Sequence, residues 1–390
     1  MTRRTIPLSE PNLTGNEVKY VVNAVKTGWV SSAGPYVTEF EQRIAAYVQA
    51  KGAVSCQNGT AGLHVGLRLC GVGPGDEVLV PTLTFIAAVN PVRYLGADPV
   101  FMDCDDSLNL DPEKLLEFCE RECEFVDGQL INRTSQKQVK AIVVVHVFGN
   151  MADMEQLLEV AARYDLAVVE DATEALGTYY TRGRFSGKYA GTMGDVGVYS
   201  FNGNKIITTG GGGMIVADNE DLLKQAKHLT TQAKSDDLYY THDEIGYNYR
   251  LTNLQAALGL AQLEQLERFI ETKRRNYELY RRELSKVEGL RLLDFADGIR
   301  PNYWFYSMYC DPRYPLNRDE IIRYLASKGI QTRPIWGLIS DQKPYRKCQS
   351  YRIEKAKHYW ERVVNLPCSS NLTEEDVLYV VDCLKNAVGV

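Results

Sequence analysis

The sequence predicts an α/β protein: a mostly parallel sheet flanked by helices, followed by a smaller C-terminal α+β unit. Three observations carry this. Near-continuous apolar runs recur at 77–81 (EVLVP), 99–103 (PVFMD), 141–149 (AIVVVHVFG), 166–171 (LAVVED), 196–201 (VGVYSF) and 212–217 (GGMIVA). Stretches of helical period separate them, as buried parallel strands require. From about Asn253 the pattern changes to one long amphipathic helix, broken at most once, that leads into a different arrangement. The division this suggests is 1–260 for the large α/β unit and 261–390 for the linking helix and small unit.

The elements follow in order. Thr14 and Glu17 have capping-box spacing, Val18, Val21, Val22 and Val25 share a helical face, and Gly28 ends that helix. EFEQRIAAYV (39–48) reads as a second helix. AVSC (53–56) is a short strand, and NGTAG (58–62) opens the helix after it. Residues 117–140 form a polar excursion between two strands. Thr373 caps a last helix that buries Val377, Val380, Val381 and Leu384.

Composition narrows the function. The chain has 390 residues, 45% hydrophobic and 24% charged, enough for a large core. A net charge of −6 gives no broad basic surface for nucleic acid. No apolar run is long enough to span a bilayer, and the N-terminus lacks a secretory apolar core, so a cytoplasmic protein is expected. The 9 Cys are scattered and the 5 His isolated, which argues for free thiols and against a metal site. Asn132-Arg133-Thr134 is a glycosylation sequon with no secretory route to use it. His146, at the end of a strand, is read as packing and hydrogen bonding.

Three motifs could carry chemistry. The NGTAG helix start offers backbone N–H groups and a helix dipole to an anion, and Gly59 permits close approach. Asp171 ends an apolar strand in VVEDA, where a carboxylate can hold a protonated ring nitrogen. Lys205 follows the strand VGVYSF and precedes Gly210 to Gly213, a run that admits a flat ligand. Each has a bland reading: a capped helix, a strand-end cap, a solvent lysine. Their joint order is what those readings do not predict. Amine, carboxylate and helix start suit the aldehyde, pyridine nitrogen and phosphate of pyridoxal phosphate (PLP).

In combination, NGTAG, PTLTF, VVEDATEALG, SFNGNK with GGGG, GYNYRLTNLQAALG and TRPIW resemble the DegT/DnrJ/EryC1/StrS family of PLP-dependent sugar aminotransferases, over nearly the whole chain. The resemblance implies PLP fold type I, like aspartate aminotransferase. It implies that Lys205 forms the Schiff base and shuttles protons, that Asp171 pairs with the pyridine nitrogen, and that Phe85 lies on the ring. Gly59, Thr60 and Ser200 would hold the phosphate, with Asn248 reaching it from the partner subunit of a homodimer, and Ala61 would be a further cofactor contact. Glu174 stands where many relatives have Gln facing the ring hydroxyl, which puts the protonation of that oxygen in question. Trp29, Ser32, Arg250 and Arg333 are the substrate candidates, the two arginines for carboxylate or diphosphate.

Family members that dehydrate sugars have histidine at the lysine position, so Lys205 favours transamination. The implied donor is L-glutamate and the implied acceptor a nucleotide-linked keto sugar. The wording of SFNGNKIITTGGGGMI, with the 117–140 excursion, resembles the branch acting on UDP-4-keto-6-deoxy sugars of the bacillosamine or legionaminic acid type. A 3-keto sugar or cyclitol is the alternative acceptor, and a non-catalytic regulator or scaffold retaining the fold is the alternative of another class.

Overall fold

The computed structural model describes residues 5–236 and 238–387. Its main sheet runs Gly52–Cys56, Gly213–Ala217, Val196–Ser200, Ala167–Asp171, Gln138–Val145, Glu77–Pro81, Asp98–Met102 and Ser350–Tyr351. From Val196–Ser200 to Ser350–Tyr351 every neighbouring pair on this path is parallel. Gly213–Ala217 is antiparallel to both of its neighbours. The cause is local. Residues 201–212 turn back without a crossover helix, and a short return can only make an antiparallel pair.

The parallel strands are buried on both faces, which is why they read as continuous apolar runs. In Glu77–Pro81 every residue is buried. Val78 and Val80 join Val143 and Val145 in one core, and Leu79 joins Ile142 and Val144 in the other. Leu63 and Leu67 of helix Gly59–Leu69 close the first face, while Phe40 and Ile44 of helix Pro35–Val48 close the second. The 117–140 stretch resolves into the end of helix Pro112–Arg121 and a hairpin, Cys123–Val126 with Gln129–Asn132, which pairs with the start of Gln138–Val145.

The long helix is broken once, into Asn253–Leu263 and Leu266–Leu284. The expected boundary at 260/261 falls inside the first piece. A four-stranded antiparallel sheet follows, in the order Leu290–Leu292, Tyr306–Cys310, Val363–Leu366, Arg333–Pro334. The N-terminal segment is tied to it: the Ile6 N–H donates to the Gly329 carbonyl, and the Cys368 N–H to the Leu8 carbonyl. Helix Glu374–Asn386 is capped by Thr373 and buries Val377, Val380, Val381 and Leu384 as expected. Among the described residues no helix is long and apolar enough to cross a membrane.

The first helix corrects the sequence reading. It spans Glu17–Lys26, and neither Thr14 nor its N-cap Asn16 makes a capping bond. The Glu17 carboxylate instead accepts from the Gly15 N–H at 2.7 Å and from Gln262. The valine face points outward, with Val18 75% and Val25 58% exposed. Periodicity identifies an apolar face but not what covers it.

Candidate active site

The active-site candidates meet where the parallel strands end. Asp171 closes strand Ala167–Asp171, Ser200 closes its neighbour Val196–Ser200, and helix Gly59–Leu69 starts beside them. Lys205 sits in the short return that follows Ser200. Lys205, Asp171, Glu174, Gly59, Thr60, Ser200 and Phe85 line one cavity of about 340 Å³. Carboxyl ends of parallel strands are where an open α/β sheet binds ligands.

The helix start is a formed anion cradle. The Asn58 side chain accepts from the Ala61 N–H at 2.8 Å, and the Asn58 carbonyl accepts from the Gly62 N–H. Gly59 and Thr60, at the first helical positions, have no acceptor within the helix for their N–H groups. A Cβ on Gly59 would meet Ser200 and Thr173 at 3.0 Å, so a side chain there would push these elements slightly apart. Ala61 departs from expectation, since its N–H is committed to Asn58 and it does not line the cavity.

The charged groups are buried together. Lys205 Nζ lies 3.7 Å from Glu174 Oε1 and 4.3 Å from the centre of the Trp304 ring. Glu174 Oε2 accepts from the Phe148 N–H at 2.8 Å. Phe148 holds that N–H in place with a left-handed backbone (φ 58°), a conformation that costs free energy in a non-glycine residue. Burial and the nearby Asp171 charge push Glu174 up to about 7, against the pull of Lys205 and the Phe148 N–H. Burial also raises Asp171, with Thr173 and Lys205 opposing. Both carboxyls therefore sit in a space that disfavours negative charge.

The sequence reading missed several walls of this cavity. Thr84, Asn202 and Asn204 adjoin predicted residues within PTLTF and SFNGNK. Trp304, Phe305 and Trp336 come from the C-terminal third of the chain. Trp304 and Phe305 stack at 4.1 Å, and the Trp304 indole N–H donates to the Asn204 carbonyl. Asn302 fixes them from below: its amide donates to the Glu174 and Leu176 carbonyls and accepts from the Trp304 N–H. Nothing in NYWFY marked this role. In TRPIW the substrate candidate is Arg333, whereas Trp336 is the residue that reaches the cavity.

The remaining candidates do not enter the cavity within one chain. Trp29 and Ser32 lie in a loop pinned by Asn253, whose amide donates to the Trp29 carbonyl at 2.7 Å. Asn248 bridges Thr231 outside the cavity. Arg250 carries a buried Nε with no hydrogen-bond partner among the described residues. Arg333 is exposed and bonds the Thr332 carbonyl. His146 is structural, as expected: it accepts from the Ala152 N–H, so its Nε2 donates to Glu170 at 2.8 Å.

The donor set fits pyridoxal phosphate. An amine, a buried carboxylate, a helix start and an aromatic wall surround one space, and PLP offers an aldehyde, a ring nitrogen, a phosphate and a flat face to meet them. Among the described residues no cluster of His, Cys, Asp and Glu is placed to hold a metal.

Comparison with known proteins gives the same direction. The family model of the DegT/DnrJ/EryC1/StrS aminotransferase family matches residues 11–385. GDP-perosamine synthase of Caulobacter vibrioides is 38% identical over 382 residues, covering 97% of each chain. The Escherichia coli GDP-perosamine synthase is 37% identical over 380 residues, again 97% of each. The crystal structure of DesI with its TDP-sugar product superposes with a TM-score of 0.86 at 27% identity, covering 98% of this chain and 93% of that one.

Proposed function

This chain belongs to the DegT/DnrJ/EryC1/StrS aminotransferase family and is a PLP-dependent sugar aminotransferase, and from that premise we propose that it transfers the amino group of L-glutamate to C4 of a nucleotide-linked 4-keto-6-deoxy sugar. One observation supports this above the others: Lys205, Asp171 and the Gly59–Thr60 helix start share a single cavity. PLP bound there would supply an electron sink for the carbon that loses or gains the amine.

The chain's own residues would do the rest. Lys205 would hold the cofactor through its amine and would serve as the base that moves the proton at the amine-bearing carbon. Asp171 would pair with the pyridine nitrogen and keep it protonated. Gly59, Thr60 and Ser200 take the phosphate, and Phe85, 55% exposed at the mouth, covers the ring face. Trp304 backs the lysine amine and, with Phe305 and Trp336, limits water at the proton-transfer path.

The reading includes a cytoplasmic homodimer. Asn248 would complete the partner's phosphate site, and Arg250, Arg333, Trp29 and Ser32 would serve substrate at the shared mouth. The outward apolar face at Val18, Val22 and Val25 supports a covered surface of this kind. For the nucleotide, the wording around Lys205 favours UDP and an N-acetylhexosamine-type sugar. The two GDP-perosamine synthases favour the second reading, GDP. Incubation with glutamate and UDP- or GDP-linked 4-keto-6-deoxy sugars, read by product mass, decides between them. Amination confined to a 3-keto sugar or cyclitol would overturn both.

A further inference from the structure

Two buried carboxyls and one lysine occupy the floor of the cavity, and their placement is asymmetric. Sheet order sets this. The strand ending in Asp171 lies between the one ending in Ser200 and the one that continues through Val145 to Phe148. The phosphate cradle, formed by Gly59, Thr60 and Ser200, lies on the Ser200 side. Glu174, hydrogen-bonded to the Phe148 N–H, lies on the other. In pyridoxal phosphate the aldehyde carbon is opposite the ring nitrogen and is flanked by the phosphate arm and the ring hydroxyl. With nitrogen, phosphate arm and aldehyde assigned to Asp171, the cradle and Lys205, the remaining flank belongs to the hydroxyl, and its neighbour is Glu174.

The charges on that flank do not balance. Asp171 is matched by a protonated ring nitrogen, and the phosphate by the helix start. Left over are the Lys205 nitrogen as the one cation, and two anions if both the ring oxygen and Glu174 are ionised. Glu174 is 4% exposed, and the donors that reach it are the Phe148 N–H and Lys205. Lys205 and Asp171 are the titratable groups that face it. His146 is turned away, bonded to Glu170 and Ala152, and Trp304, Phe305 and Trp336 carry no charge. An uncompensated charge in such a space is expensive, and the group gains a proton instead.

Resting on the proposed cofactor placement, we infer that Glu174 holds a proton in the PLP-loaded enzyme at neutral pH and donates a hydrogen bond through it to the ring hydroxyl oxygen. Glu174 is thus a neutral carboxyl that keeps its proton and shares it with the ring oxygen through a hydrogen bond. The loaded protein keeps one more proton than the Glu174→Gln variant would, and the electronic state of the ring depends on it. The upward shift of Glu174 to about 7 in the cofactor-free protein agrees with this.

The test compares PLP-loaded wild type and Glu174→Gln by infrared difference spectroscopy at about pH 7.5. Gln is isosteric, and its carbonyl oxygen can still accept the Phe148 N–H. A protonated-carboxyl band present in wild type and lost in the variant is the expected result; an ionised-carboxylate band in its place overturns the inference. If the variant does not load, wild type with 13C-labelled glutamate carboxyls is compared before and after loading at about pH 7.5. A gained carboxyl band supports the inference, and no gain overturns it. Borohydride reduction separates this from the placement itself. PLP mass fixed on Lys205 with an ionised Glu174 sinks only the proton, whereas no fixed mass on Lys205 sinks both.

Discussion

Glu170 and Glu174 are four residues apart, both buried, and treated in opposite ways. Glu170 is saturated with donors: His146 Nε2, and the N–H groups of Gly191, Met193 and Gly194. Burial pushes its carboxyl up, but His146 and these N–H groups overcome that and hold it below the ordinary range. Glu174 receives one backbone N–H and a lysine at 3.7 Å, and burial wins. The first carboxylate ties the 190–195 turn to the sheet. The second faces the cavity with hydrogen-bonding capacity to spare. Where a fold saturates a buried charge it is building structure; where it withholds partners it leaves chemistry to be done.

Four substitutions would break or sharpen this contrast. The largest effect is expected from Lys205→Ala, which removes the only amine among the residues lining the cavity. Transamination should fall at least about 1000-fold, and borohydride should fix no cofactor on the protein. Residual activity within tenfold of wild type would refute the assignment.

Next is Glu170→Gln. An amide nitrogen would then confront backbone N–H groups, so urea unfolding should show a loss of about 4 kcal/mol. The sign with pH follows from the depressed carboxyl. Its stabilisation is present above the ordinary carboxylate range and lost as pH falls through the folded value, so variant and wild type should converge on acidification. A loss under about 1 kcal/mol at neutral pH would mean that the donor shell contributes little.

Glu174 should behave oppositely in the cofactor-free protein. A raised pKa contributes stability that is complete below the ordinary carboxylate value and lost as pH rises through about 7. Between about pH 4.5 and pH 8, wild type should therefore lose about 3 kcal/mol relative to Glu174→Gln. Parallel stability curves would show that Glu174 is ionised in that range without cost.

The smallest effect is expected from Gly59→Ala. The added methyl meets Ser200 and Thr173 at 3.0 Å and displaces the cradle slightly. PLP should be retained about 10-fold less tightly, measured by dialysis and absorbance, with little change in unfolding.

The sequence made much of the mouth legible and little of what supports it. Strand positions, the broken long helix, Asp171 and Lys205 follow from apolar runs and from their order along the chain. Glu170 escaped notice because a buried carboxylate inside VVED looks like its neighbour Asp171; only the return of residues 191–194 gives it partners. Trp304 lies about a hundred residues from Lys205, and local pattern carries no information about such a contact. Phe148 gave no sign of its left-handed backbone, since the turn around Gly149 is imposed by Asn302, whose Oδ1 leaves no room for a side chain there. The valines of the first helix were legible as one apolar face, but their spacing carries no information about whether the chain itself covers that face, and Val18, Val22 and Val25 are exposed.

The return between Ser200 and Gly213 has one more consequence. Its two ends are fastened into adjacent antiparallel strands, each paired on both sides within the sheet, with no helix to absorb slack. A single inserted residue there would move the amine relative to every group it must meet, whereas the exposed turn at Asp127 and Gly128 joins strands at the periphery of that sheet. Lineages of this protein should thus tolerate length variation at the hairpin tip and almost none across 201–212.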